Sequence, residues 1–503
     1  PTGPTPPSPF SSGLHITAHA PFRWILGNDG MNTSNRHATE GLRLTIQALR
    51  VLLAPLRLLL PLTLLGAQAS AAEFRGLWVD AFGPGFFNAQ QVKKLVADCR
   101  KYNFNAVLVE MRRRGDAFYN SQYDPRTTII TTNFDALAEI IKACHTGNPR
   151  IEVHCWVVSH FIWSWEKPPR QPNHVFNQHP EYLTKDSIGQ RFIGKGYFLD
   201  PGNPDANQTI YTVAKDIVVR YDIDGFHWDY CRYPNRDSGY NDTALKRFND
   251  EFRAHSQPLP SDPRFCEWRR RQVTDFLRWV NADLWEIKPH LVISVSVFAN
   301  IHDSFGYRFA DWPAWNKEGL IDVCIPMDFS ADNRNVFFPR AEDARKNQGA
   351  RLVLMGQGAY MNTRENTLAQ LDYARQKGFP GTVLYDYRHP SKDSADKDFC
   401  FGLLKERFQP DWTDTPALVW KKAKSILKGT VTRAADGRPA YNARVALNSD
   451  PPRAGKTEPH GKYAFFDLSP GEYLVRAEAE GLSATASVEL KAGQVLNVDL
   501  RPR

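Results

Sequence analysis

The sequence predicts an α/β fold: a (β/α)8 TIM barrel followed by a small all-β sandwich. Three observations carry this. Between residues 73 and 408, short apolar stretches alternate with amphipathic helical ones, the order expected of a parallel sheet covered by helices. Residues 409–424 form a polar linker with Pro410 and Pro416. After the linker the helical period is lost, and residues 425–503 read as strands separated by turn residues. An open doubly wound sheet is the competing arrangement, but no glycine-rich nucleotide loop follows the first strand.

Residues 1–72 read as an upstream segment and an export signal. Leu58-Leu59-Leu60-Pro61-Leu62-Thr63-Leu64-Leu65 is an apolar core preceded by Arg43, Arg50 and Arg57. The small-x-small sites Ala67-Gln68-Ala69 and Ala69-Ser70-Ala71 follow, so the mature chain is expected to start near Ala72 or Glu73. The apolar run is too short to span a bilayer, and no cysteine follows it for lipid attachment. No stable membrane insertion is therefore expected after cleavage, and the protein is expected in the periplasm or secreted. The chain begins with Pro1; Met31 is the expected start, and residues 1–30 read as extra upstream sequence.

Phe74-Arg75-Gly76-Leu77-Trp78-Val79-Asp80 is the first strand. Val92, Leu95, Val96 and Cys99 then recur at helical spacing within 89–102. Strand two is 105–110, its helix 134–144, and strand three 151–158. A long segment at 159–197, carrying Phe161, Trp163, Trp165 and Tyr182, is expected to be functional because loops of that length are uncommon in compact domains. Asn203-Pro204 opens the next helix, as N-cap and first helical residue.

That helix feeds the stretch Ile223-Asp224-Gly225-Phe226-His227-Trp228-Asp229-Tyr230, read as strand four. Side chains alternate along a strand, so Gly225, His227 and Asp229 share one side and Asp224, Phe226 and Trp228 the other. If the aromatics meet the covering helices, Asp229 points inward at the C-terminal end, where barrel chemistry sits. Asp224 is expected to brace the base. Residues 242–288 read as helical, 290–300 as strand five, 320–329 as strand six, 351–357 as strand seven with its helix at 367–378, and 381–387 as strand eight. Beyond the linker, strands are expected at 426–432, 443–447, 461–466, 473–479 and 495–500.

Composition narrows the function. Charged residues make up 23% and hydrophobic residues 42%, which suits a globular chain. The net charge of +8 comes without a Lys/Arg-rich run, so no nucleic-acid partner is expected. Seven scattered cysteines form no CxxC pair, which points away from zinc sites and disulfide frameworks.

The polar residues at expected strand ends are Asp80, Glu110 with Arg112, His154 with His160, His227 with Asp229, Asn300, Asp328, Gln357 and Asp386. Several carboxylates beside aromatics, without a phosphate loop or a serine triad, suit glycosidic-bond cleavage. That reaction needs one carboxyl to protonate the leaving oxygen and another to attack the sugar or activate water. The competing reading is that some of these acids pair with Arg112, Arg232 or Arg388 and only shape the pocket. His154, His227 and Asp229 are considered as a two-histidine, one-carboxylate metal set. No HxH or HExxH pair supports it, so no metal and no cofactor are expected.

The stretches Phe74-Arg75-Gly76-Leu77-Trp78-Val79, Val109-Glu110-Met111-Arg112 with Gly115-Asp116-Ala117-Phe118-Tyr119, His154-x-Trp156, His179-Pro180-Glu181-Tyr182, Leu199-Asp200-Pro201-Gly202-Asn203-Pro204 and Asp224-Gly225-Phe226-His227-x-Asp229 resemble the glycosyl-hydrolase-like family 10 barrels. The resemblance implies an exported bacterial TIM-barrel hydrolase acting on a polysaccharide. One relative is associated with peptidoglycan glycan strands, which makes cell-wall glycan the expected substrate. Asp-Gly-Phe-x-x-Asp also resembles the strand-four motif of the α-amylase superfamily, whose last Asp is the nucleophile. That likeness implies the role for Asp229.

Two positions depart from the family: Glu110 stands where Gln is usual, and Asp328 where Gln is common after the strand-six proline. The candidate catalytic residues are thus Asp229 with Glu110 or Asp328. Arg112, Asp116, His154, Trp156, Trp163, His227, Tyr230 and Asp386 are the candidate sugar-binding residues. The C-terminal stretch resembles carboxypeptidase-regulatory-like sandwiches (Gly429-x-Val431, Gly461-x-Tyr463-x-Phe465, Pro470-Gly471-x-Tyr473), which attach or stabilise rather than catalyse. A non-catalytic glycan-binding barrel is the alternative function.

Overall fold

The computed structural model describes residues 72–503, so the expected export signal lies outside the described residues. Among these, parallel strands Phe74–Val79, Ala106–Arg112, Glu152–Val158, Gly225–Asp229, Val292–Phe298 and Val323–Asp328 are hydrogen-bonded in that order. Strand seven is broken at Leu354 into Leu352–Val353 and Met355–Gly358. Its second half pairs with both strand six and strand eight, Gly381–Tyr385, and strand eight returns to strand one. The sheet therefore closes into a (β/α)8 barrel, as the strand–helix alternation predicts.

Both faces of these strands are buried. Leu77, Val79, Val107, Val109, Val153, Cys155, Phe226 and Trp228 pack outward against the helices. Trp78, Leu108, Trp156, Val323, Ile325 and Val383 fill the interior. The helices begin where capping chemistry places them. Asn203 accepts the Asp205 and Ala206 amide hydrogens at 3.0 and 3.3 Å, with Pro204 as the first residue of helix Pro204–Arg220. Asp224 does brace the base of strand four: it accepts from Val153 N at 2.8 Å and bonds His145 Nε2 at 2.8 Å.

The segment after strand three is not a bare loop. It folds a short ribbon, Phe161–Trp163 against Tyr197–Phe198, over the C-terminal side of the barrel.

The C-terminal part is built of two sheets, antiparallel except where Ser425–Thr430 pairs in parallel with Val495–Asn497. Ser425–Thr430 lies between Lys462–Leu468 and Val495–Asn497; Arg444–Leu447, Arg453–Lys456, Gly471–Ala479 and Leu482–Leu490 form the other sheet. Arg453–Lys456 and Leu482–Leu490 are not among the sequence-predicted strands. Both are largely solvent-exposed, and their small or charged residues carry little apolar alternation.

This part docks beside the N-terminal ends of strands five to seven. Lys421 Nζ reaches Leu291 O at 2.9 Å, Trp420 Nε1 reaches Asp322 at 2.6 Å, and Arg351 bonds Asp467 at 3.0 Å. Leu291, Asp322 and Arg351 each immediately precede a strand, so the sandwich leaves the opposite, C-terminal mouth open. Its firmest tie is Asp283 on helix Pro263–Ile287, which bonds Lys428 at 2.6 Å and Lys462 at 2.5 Å.

Candidate active site

Alternation carries Asp80, Glu110 and Asp229 to the inner face at the C-terminal ends of strands one, two and four. Trp156 lies between the last two, in register with Glu110 on one side and His227 on the other. All of these side chains are almost wholly buried.

Asp229 is held at both oxygens. Oδ1 accepts the Tyr230 amide hydrogen at 2.8 Å and Oδ2 the Trp156 indole hydrogen at 3.2 Å. Tyr230 itself sits at φ +57°, a left-handed conformation that costs a bulky residue on the order of 1 kcal/mol. Burial raises the Asp229 carboxyl to about 6, against the opposing pull of Arg232 and these two donors.

Glu110 Oε2 accepts the Ala81 amide hydrogen at 2.7 Å. Burial raises this carboxyl to about 8; the charges of Asp80 and Asp229 push the same way, against Arg113. Asp80 is already paired: Arg388 donates to it at 2.7 and 3.0 Å and the Tyr385 hydroxyl at 3.2 Å. The two carboxyls are thus set apart, Glu110 near 8 and Asp229 near 6, so Glu110 holds its proton to the higher pH.

Aromatic walls flank this pair. On one side Tyr230 stacks on Phe161 with centroids 5.1 Å apart, and Phe198 lies 6.0 Å from it. On the other, Tyr385 stacks on Phe329 at 5.3 Å, with Tyr360 at 5.7 Å. Above them Trp163 meets Trp165 at 4.7 Å, its indole hydrogen bonded to Lys167 O. Asp116 accepts from Arg114 N at 3.1 Å and faces Arg113 at 3.9 Å. Asp386 accepts the His389 amide hydrogen at 2.6 Å; burial works against its charge, but His389 keeps it below the usual carboxylate range.

Four expected residues are placed elsewhere. Asp328 does not face the mouth. In strand six Val323 and Ile325 point inward with Met327, so Cys324, Pro326 and Asp328 point outward. Asp328 instead meets Arg340 of helix Phe338–Lys346 at 3.3 Å. Arg112 follows a β-bulge after Glu110 that turns it away from the interior. It bonds Asp124 at 2.6 Å and the carbonyls of Val158 and Ser159, bracing the rim from behind.

His154 sits one layer below Trp156. It fills the space left by Gly225, where a Cβ would come within 2.1 Å of its ring, and bonds Glu152 at 3.1 Å. His227 is a floor residue. Its Nε2 accepts the Trp78 indole hydrogen at 3.1 Å, so Nδ1 carries the proton and donates to Ser294 at 2.8 Å. Burial drives it well below the ordinary imidazole range, so it is neutral. The two histidines and Asp229 thus occupy different layers, and among the described residues no group of three or more His, Cys, Asp or Glu is arranged to hold a metal ion.

Asp80, expected at the end of strand one but given no role, belongs to the mouth, as do Arg113, Arg114, Tyr385 and Phe329, which are absent from the sequence-derived candidates. Arg113 and Arg114 had a signal, lying between the Glu110 and Asp116 stretches that resemble the family.

Comparison with known proteins agrees with this architecture. Residues 73–349, more than half of the chain, match the family model described as glycosyl hydrolase-like 10. The chain belongs to this family. Residues 426–502 match the carboxypeptidase regulatory-like domain. "Glycosyl hydrolase YngK" of Bacillus subtilis is 24% identical over 75% of this chain and 77% of its own length. "Glycosyl hydrolase DigH" of Escherichia coli K12 is 24% identical over 45% of this chain, which spans 55% of that protein. The glycoside hydrolase domain of PgaB (BpsB) from Bordetella bronchiseptica shares the fold, with a TM-score of 0.50, 13% identity, and coverage of 65% of this chain and 99% of that domain. The protein is therefore a glycoside-hydrolase-type TIM barrel.

Proposed function

We propose that this protein cleaves glycosidic bonds in a polysaccharide, with Glu110 as general acid and Asp229 as nucleophile or base. One observation carries the reading: two buried, inward carboxyls stand on strands two and four with Trp156 between them, and burial and neighbouring charges favour the proton on Glu110 over Asp229. A carboxylic acid that stays protonated near pH 7 can protonate the leaving oxygen, and an ionised neighbour can attack the sugar or activate water. Asp116, Trp163, Tyr230 and Asp386 remain proposed sugar contacts. Trp156 and His227 position the pair from below.

Peptidoglycan glycan strands are the proposed substrate, supported by the family resemblance. Export to the periplasm or medium belongs to the same proposal, supported by the apolar segment 58–65 and the small-residue sites after it.

The test is release of reducing ends from peptide-free peptidoglycan strands and from a panel of common polysaccharides, with mass analysis of products. Wild-type protein should release products from at least one of them. Asp229→Asn and Glu110→Gln should each lower turnover by about 10²- to 10⁴-fold while unfolding stays cooperative. Binding without any product would replace the enzyme by a glycan-binding protein.

A further inference from the structure

The arginines around the mouth are spoken for, with one exception. Arg388 is paired with Asp80 and Arg112 with Asp124. Arg113 donates to Ala81 O at 2.5 Å and faces Asp116. Arg232 lies over Tyr230 at 4.3 Å and bonds Tyr233 O at 3.3 Å. The Arg114 guanidinium makes no ion pair and no side-chain hydrogen bond among the described residues, and its Nε is buried without an acceptor.

Two rings frame it: its guanidinium carbon is 4.9 Å from the Phe82 centroid and 4.4 Å from that of Trp165. These rings are among the exposed large apolar side chains, at 41% and 45%. Phe82 follows strand one, Arg114 follows strand two and Trp165 belongs to the segment after strand three, so all three stand on the mouth's rim beside Glu110. Neither nearby acid bonds the Arg114 guanidinium: Glu110 Oε2 accepts the Ala81 amide hydrogen, and Asp116 is engaged by the Arg114 backbone N–H and by Arg113.

A guanidinium buried against ring faces loses water without gaining an acceptor, an arrangement that favours an incoming anion. Its planar fork matches a carboxylate, and exposed aromatic faces suit the apolar face of a sugar ring. We infer that Arg114, framed by Phe82 and Trp165, determines specificity by gripping a carboxylate carried by the glycan in the sugar bound beside Glu110. This rests on reading the mouth as a glycan-cleaving site and narrows the substrate to glycans with acidic sugars.

The test compares two substrates on each variant: peptide-free peptidoglycan strands, whose muramic acid units carry a carboxyl, and the same strands with that carboxyl reduced to an alcohol. Wild-type protein should favour the acidic strands by about ten- to hundredfold in kcat/KM, expressed in KM. In Arg114→Gln that ratio should fall to within about twofold, and Arg114→Lys should restore part of it. A purely structural role would move both substrates together and keep the ratio. Equal cleavage of the two strands by wild-type protein, or a ratio retained in Arg114→Gln, overturns the inference while the hydrolase reading stands. If neither strand is cleaved, the peptidoglycan substrate falls. Affinity electrophoresis of the same two strands with wild-type protein and Arg114→Gln then decides the inference alone: preferential, Arg114-dependent retention of the acidic strands supports it, and equal retention overturns it.

Discussion

Trp156 donates its indole hydrogen to Asp229 Oδ2 at 3.2 Å, while its backbone lies in register with Glu110 on the neighbouring strand. One side chain of the barrel floor thus separates the two carboxyls and favours ionisation of only one of them. A hydrogen bond to a charged acceptor is worth roughly 1.5–3 kcal/mol, and about 1.4 kcal/mol corresponds to one pH unit. Trp156→Phe, which keeps the ring and removes the donor, is therefore expected to move the acid limb of the kcat/KM profile upward by about one unit. A limb that stays in place would show that this bond does not set the ionisation of Asp229.

The pair predicts a bell-shaped profile. Activity needs Asp229 ionised, which happens as pH rises through about 6, and Glu110 protonated, which is lost as pH rises through about 8. The optimum is expected near pH 7. Glu110→Gln should remove the alkaline limb along with most of the turnover. An unchanged alkaline limb in the residual activity of that variant would assign the acid to another group.

Asp328 supplies a sign-specific test. Burial raises its carboxyl from 3.8 to about 7, against Arg340. Its pKa is thus higher in the folded chain than in the unfolded one. The stability contribution is fully present below pH 3.8 and is lost as pH rises toward 7. Asparagine has no such proton to lose. Asp328→Asn should therefore gain Tm relative to wild type between pH 5 and pH 8, with turnover within about twofold. Loss of turnover in a folded Asp328→Asn protein would return Asp328 to the chemistry.

Asp283 ties the barrel to the sandwich through Lys428 and Lys462, and both lysines hold its carboxyl below the usual range despite burial. Lys428 keeps Glu286 as a partner and Lys462 is partly exposed, so the loss of two charge-assisted hydrogen bonds is expected to cost about 2 kcal/mol. Asp283→Ala should lower stability by that amount in denaturant unfolding, with catalysis per folded molecule retained. A cost under about 0.5 kcal/mol would show that the docking does not depend on this cluster.

The candidate site was legible in sequence where a strand has a distinctive outward face. In Gly225–Asp229, Phe226 and Trp228 share one face and pack in the sheet–helix layer, and Asp229, of opposite parity, points inward. Strand six offers no such asymmetry. Val323, Ile325 and Met327 are as apolar as Cys324 and Pro326, because a parallel strand is buried on both faces, and the direction of Asp328 could not be told from parity. Arg112 was misread for a different reason: the bulge after Glu110 adds a residue to the count. His154 has the right parity but the wrong height, near the start of its strand.

By itself the sequence determined the alternation of strands and helices, the change to β-only structure after the linker, and which acid of strand four faces inward. Each is local, set by side-chain period and size. The tertiary structure alone decided that Glu110 rather than Asp328 faces the mouth with Asp229, that Trp156 stands between the two, and that the Arg114 guanidinium makes no ion pair among the described residues. Those relations join strands far apart in the chain. They depend on barrel closure, on one bulge, and on how much water each carboxyl loses when the mouth is built.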